Sequence, residues 1–176
     1  MLLQELFMTP RKNWEWTTKA SDEWEGSFVV HNHEYRVAMR HTSFRAVITS
    51  VDQEFQAHVR NILEGRGDDI WAIYLSFIEK RRYPGSEEVR DYPQYELTGF
   101  GKRPEERGSQ FTVYGTMLSM LREFVSEKRP KAMYLSAFEN KQAPTYRQLI
   151  KRFAVDWKSY QFTTDDRLAY AWILWR

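Results

Sequence analysis

The clearest periodicity in the chain lies between residues 110 and 126. Phe111, Tyr114, Met117, Leu118, Leu121, Phe124 and Val125 recur at the spacing of one buried helix face. Ser109 stands where an N-cap would, and Pro130 follows the expected end. A second helix is expected over 143–157, "APTYRQLIKRFAVDW", with Pro144 in its first turn. Residues 52–65 are ambiguous. Phe55, His58, Val59 and Ile62 keep helical spacing between Asp52, which can cap, and Gly65, which can stop a helix.

Strand patterns fill the rest. "SFVVHNHEYRVAMRHTSF" alternates around a polar break at His31 to His33, so residues 27–31 and 34–41 read as a hairpin. "FRAVITSV" (44–51) is a further β-rich run. In "IWAIYLSFIEK" (70–80), Trp71, Ile73, Leu75 and Phe77 share one face of a long strand. "YPGSEEVRDYP" (83–93) carries turn residues at both ends and reads as a loop; "QYELTGFG" (94–101) reads as the next strand. "KAMYLSAF" (131–138) is a short buried strand and "RLAYAWILWR" (167–176) a last one. The expected fold is α+β: an antiparallel N-terminal meander followed by β-α-β-α-β in a mixed sheet. A strand–helix–strand unit implies a parallel pair with a right-handed crossover.

Composition narrows the classes of function. The chain has 176 residues, 42% hydrophobic and 16% aromatic, and no internal repeat or linker divides it, so a single domain over 1–176 with residues 1–24 packed on it as an arm is expected. Leu2, Leu3, Leu6 and Phe7 read as one helical turn of that arm. Zero cysteines exclude a disulfide scaffold, cysteine metal sites and thiol catalysis, and suit a reducing, cytoplasmic compartment. No apolar run approaches the roughly 18 residues that span a bilayer, so no membrane contact is expected. Net charge is +2, from 26 basic and 24 acidic residues. That is far from the basic balance of a dedicated nucleic-acid binder, and nucleic acid is not an expected partner. The basic runs at 79–85, 126–131 and 150–153 have acidic neighbours and read as solvated surface.

Three stretches carry candidate chemistry. "ELTGFGKRPEERGSQFTVYG" runs from a strand through a charged, glycine-containing loop into a helix. Free amides and the dipole at a helix start favour an anion there, although an ordinary solvated loop is the commoner use of such a stretch. His31, His33 and His41 with Glu34 could hold a metal, but a turn-exposed pair is the better reading, and no metal site is expected. "NWEWTTKASDEWEG" offers Trp14, Trp16 and Trp24 among charges. It is either a sticky arm for a partner protein or another copy, or a structural hairpin with Trp14 and Trp16 on one face.

The element order from residue 25 onward resembles the Gcn5-related N-acetyltransferase (GNAT) superfamily. The blocks Thr98–Gly101, Phe111–Val113 with Leu121–Phe124, and Ser136–Glu139 also look similar to uncharacterised phage proteins. The GNAT resemblance implies acetyl-CoA as cofactor, with its pyrophosphate on the loop of "EERGSQ", held by Gly108 and nearby backbone at Ser109 and by Arg103 and Arg107. Of the family's phosphate signature this loop keeps the central Gly108; Glu105 and Gln110 depart from it. The resemblance also places Asn140 at the cofactor and Tyr146 as general acid to the departing thiolate, one residue closer to Asn140 than in the family. Tyr146, Leu149, Ile150 and Phe153 read equally well as the buried stripe of a helix. Glu96 matches the place of the base that deprotonates the amine, and can face either the cleft or solvent. Two functions are therefore expected: acetyl transfer from acetyl-CoA to an amine, or a non-catalytic phage protein of this fold that is virion-associated or binds a host protein.

Overall fold

The structure, a computed structural model, describes residues 12–66, 69–82, 84–94, 109–136, 160–162 and 171–176. The described chain is α+β: eight strands in a mixed open sheet, with an antiparallel meander, and three helices. The strands are β1 (Trp14–Lys19), β2 (Glu23–Val30), β3 (His33–Thr42), β4 (Ile70–Arg82), β5 (Val89–Gln94), β6 (Ala132–Ser136), β7 (Gln161–Phe162) and β8 (Ala171–Trp175). The helices are α1 (Phe44–Ser50), α2 (Gln53–Leu63) and α3 (Ser109–Lys128). The strand order is β1-β2-β3-β4-β6-β8-β7, with β5 paired to β4.

The chain divides into two compact units. The first holds β1, β2 from Trp24, β3 to Ala38, β4 from Leu75, β5, and α3 to Glu127. β2 and β3 are joined by His31 and Asn32, both at positive φ (48° and 64°), the conformation of a two-residue turn that matches strand twist. Alternation puts Trp24, Gly26 and Phe28 on one face of β2, and α3 covers that face with Met120 and Phe124. Trp24 meets Phe124 edge-on at 5.4 Å, and Phe28 stacks on Tyr35 at the same centroid separation. Tyr114, Met117, Leu118, Leu121 and Phe124 of α3 are buried, as their spacing predicts, and Val113, Thr116 and Met120 outside that stripe are buried too.

The second unit comprises Ser21–Glu23, Met39–Tyr74 and Lys128–Arg176. Its core joins Val47, Ile48 and Val51 to Phe55, Val59 and Leu63 of α2 and to Ile70, Ala72, Ala132 and Tyr134. Here 44–51, expected as a β-rich run, is helix. Ser43 caps it, its hydroxyl accepting from the Ala46 amide at 3.1 Å. Phe44, Val47, Ile48 and Val51 fall at helical spacing, and burying that stripe outweighs the weak helix propensity of Val, Ile and Thr. The ambiguous 52–65 resolves as α2, stopped by Gly65 at φ 76°.

The other correction concerns 83–93. The turn keeps Pro84 and Gly85, but residues from Val89 onward form β5, antiparallel to β4 from Phe77↔Gln94 to Arg82↔Val89. Pro93 occurs within this strand, and a strand paired on one side tolerates the missing N–H. β6 is parallel to β4, with Ile70–Ile73 beside Ala132–Leu135. The parallel neighbour of β6 among the described residues is thus the strand that precedes β5, while β5 itself runs against β4. Residues 95–101, 137–159 and 163–170, with the arm before Lys12, lie outside the described residues, so the helix expected at 143–157 lies there too.

Candidate functional site

Among the residues expected to act on acetyl-CoA, Glu96, Arg103, Arg107, Gly108, Asn140 and Tyr146 lie outside the described residues. Ser109 is the first residue of α3, a helix of 20 residues, so the helix begins directly after Gly108. His31 belongs to the hairpin turn and His33 opens β3. Among the described residues no three His, Asp or Glu side chains gather to hold a metal ion, and no helix is long and apolar enough to cross a membrane.

The tryptophans form the most elaborate cluster. β1 pairs with β2 in one register from Trp14↔Phe28 to Trp16↔Gly26 and in a shifted one from Thr18↔Glu25 to Lys19↔Trp24. The extra residue is a β-bulge at Thr17, whose hydroxyl donates to the Glu25 carbonyl at 3.1 Å. Without the bulge, alternation would send Lys19 to the face opposite Trp14 and Trp16. With it, Lys19 lies across from Trp24, on the α3 side. Its ammonium sits 4.4 Å from the Trp24 ring centroid and 5.7 Å from that of Trp16.

Glu123 of α3 is the hub of this face. It accepts from Trp16 Nε1 at 2.9 Å and from Lys19 Nζ at 3.1 Å, and pairs with Lys12 at 3.3 Å. Lys19 also reaches Glu127 at 3.2 Å. Burial disfavours the charged form of Glu123, but hydrogen bonds from Lys19, Trp16 and Lys12 more than offset it, and its pKa lies below the ordinary value. For Lys19 burial likewise works against the charge, and the bonds to Glu123 and Glu127 outweigh it, raising its pKa. Trp24 is buried at the base, while Trp14 and Trp16 are half-buried. The arm of residues 13–26 is therefore a packed hairpin with Trp14 and Trp16 on one face, one of the two forms its sequence allows. Glu123 was not legible in the sequence as a partner, because 107 residues separate it from Trp16.

The second unit carries a different cluster at the turn between α3 and β6. Asp69 accepts from Trp71 Nε1 and from the Lys131 amide, both at 3.1 Å. Lys128 Nζ lies 5.6 Å from the Trp71 ring centroid, and His41 meets the same ring edge-on. Tyr160 donates its hydroxyl to the Pro130 carbonyl at 2.6 Å. Burial raises the Tyr160 pKa, with Arg176 opposing and Asp69 adding to the rise.

The fold and these clusters define the class only as an α+β domain with one aromatic–ionic face and one cationic turn. No protein-family model, curated protein or solved structure matches the chain.

Proposed function

We propose that the protein is a non-catalytic binding module of GNAT-like topology, of phage type, acting in the host cytoplasm or the virion by holding a partner protein on its tryptophan face. The observation that carries this reading is the build of that face. Trp16 is half-buried against Trp24, which rests on Phe124; Trp14, also half-buried, lies across from Phe28, and Lys12, Lys19, Glu123 and Glu127 line this face. Aromatic side chains already fixed in place lose little entropy on binding, and a charged rim adds register; interfaces concentrate their energy in such spots.

The test is affinity capture with the full chain, followed by a measured Kd for the captured protein, with sedimentation for a second copy. Trp14→Ala leaves the Trp16–Glu123 bond in place and should weaken the complex by about 2 kcal/mol or more, roughly thirtyfold in Kd. Trp14→Ala plus Trp16→Ala should abolish it. An interaction indifferent to both variants would overturn the reading, as would the absence of any partner or self-association.

A second reading is favoured by one feature. Because α3 starts at Ser109, its unbonded first-turn amides follow Gly108 directly, the arrangement that suits a pyrophosphate. On this reading the domain transfers acetyl from acetyl-CoA to an amine. Gly108 and Ser109 would hold the pyrophosphate with Arg103, Arg107 and Asn140; Glu96 would be the base and Tyr146 the general acid. CoA at 100 times its dissociation constant should add about 2.7 kcal/mol to stability, and Gly108→Glu should remove that gain. A melting temperature unmoved by millimolar CoA would eliminate this reading.

A further inference from the structure

Several cations elsewhere in the described chain meet carboxylates, while Arg45 and Arg60 stand exposed with no ion pair among the described residues. Lys12, Lys19, Arg36, Arg40 and Arg90 each meet a carboxylate at 3.5 Å or less. The turn after α3 gathers three cations in one place. Arg129, Lys131 and Arg176 are all exposed, and among the described residues none of the three forms an ion pair. They are nonetheless held close together. The Arg176 amide donates to the Lys131 carbonyl at 3.1 Å, and its guanidinium donates to the Arg129 carbonyl. Asp69, the acid hydrogen-bonded to this turn, has its oxygens committed to the Lys131 backbone and to Trp71. It anchors the turn through the Lys131 backbone.

The backbone adds an independent observation. Arg129 has φ 48°, the left-handed region, immediately past the end of α3. That position favours glycine, because a Cβ there crowds the following carbonyl. An arginine kept where the backbone prefers glycine, beside two more exposed cations, marks a side chain with a use of its own.

We propose that this turn binds the phosphodiester backbone of a nucleic acid. Two guanidinium groups favour phosphate, whose oxygens accept their paired N–H donors. Of the described aromatics at the turn, Trp71 is buried and the Tyr160 hydroxyl is bonded to Pro130. Among the described residues neither ring is offered for base stacking at the turn, so the contact proposed is with charge and not with sequence. The whole-chain charge of +2 conceals this, because acidic residues elsewhere cancel the local excess. The proposal is independent of the tryptophan face and stands or falls separately.

Fluorescence anisotropy with a short labelled DNA duplex tests it on the full chain. Three phosphate contacts predict a slope of log K against log salt near −2.7, so raising salt from about 50 to 200 mM should weaken binding about 40-fold. Arg129→Gly and Lys131→Gln should each reduce that slope by about 1. Arg90→Ala, which removes a cation already paired with Glu88, should change nothing. Arg129→Gly separates function from scaffold: it should melt at or above the wild-type temperature while binding more weakly. The proposal is overturned by no binding at low salt, by wild-type affinity in Arg129→Gly, or by polyglutamate competing as well as DNA per unit charge. The last result would assign the turn to an acidic protein instead.

Discussion

Glu123 gathers three donors from a segment more than a hundred residues away, and its side chain remains about a quarter exposed (23%). Water therefore screens the lysine pairs, and the Trp16 indole bond is the dependable part. Glu123→Ala strands that indole N–H and should cost about 1–2 kcal/mol. The pH dependence has a definite sign. A carboxylate whose folded pKa is depressed contributes stability above its unfolded value, here the ordinary 4.5, and loses it as the pH falls through the folded value. Denaturant melts should show the wild type losing more stability than Glu123→Gln as the pH drops below about 4.5. Equal losses in the two proteins would mean the charge is idle. At this scale the sequence is a poor guide. Trp14, Trp16 and Trp24 stand out in it as unusual, yet nothing in it selects Glu123 over Glu127, the other acid of α3.

At the scale of elements, the β1–β2 hairpin and α3 meet at Gly26. A Cβ built there would lie 2.7 Å from the Glu15 carbonyl oxygen, 2.8 Å from Met120 Cε and 2.9 Å from Trp16 Cε3. Met120 can turn away, but the Glu15 backbone cannot move without opening the β1–β2 ladder. Gly26→Ala should therefore destabilise by about 1–3 kcal/mol, measurable as a lower denaturation midpoint with an unchanged slope. A neutral effect would show that the hairpin gives way more easily than its ladder implies. The bulge at Thr17 serves the same interface by turning Lys19 toward Glu123. It also interrupts the regular run of free groups on a strand that ends the sheet, a device that discourages pairing with other chains. Long periodic elements such as α3 and β4 were legible within a few residues of their ends. α1 was not, because its β-branched residues spoke for strand while its stripe at 44, 47, 48 and 51 spoke for helix. β5 was missed because Pro93 and acidic neighbours mask a strand whose pairing needs no apolar alternation.

For the molecule as a whole, each compact unit has its own core, the first with more aromatic side chains, the second mostly aliphatic. In the second unit the parallel pair β4–β6 is fastened at its start by Asp69, whose carbonyl accepts from Ala132 at 3.2 Å while its carboxylate takes the Lys131 amide. That closure spans some sixty residues of chain, so its partner choice is a matter of three-dimensional packing and not of local pattern. The sequence by itself determined the α+β class, the β2–β3 hairpin, the long β4 and the buried stripe of α3, since periodicity and turn chemistry are local. The tertiary structure alone decided that β6 takes β4 as its parallel neighbour, that Glu123 meets Trp16, and that three exposed cations share one turn. Pairing across long stretches of chain depends on which surfaces bury one another, and that has no signature in neighbouring residues.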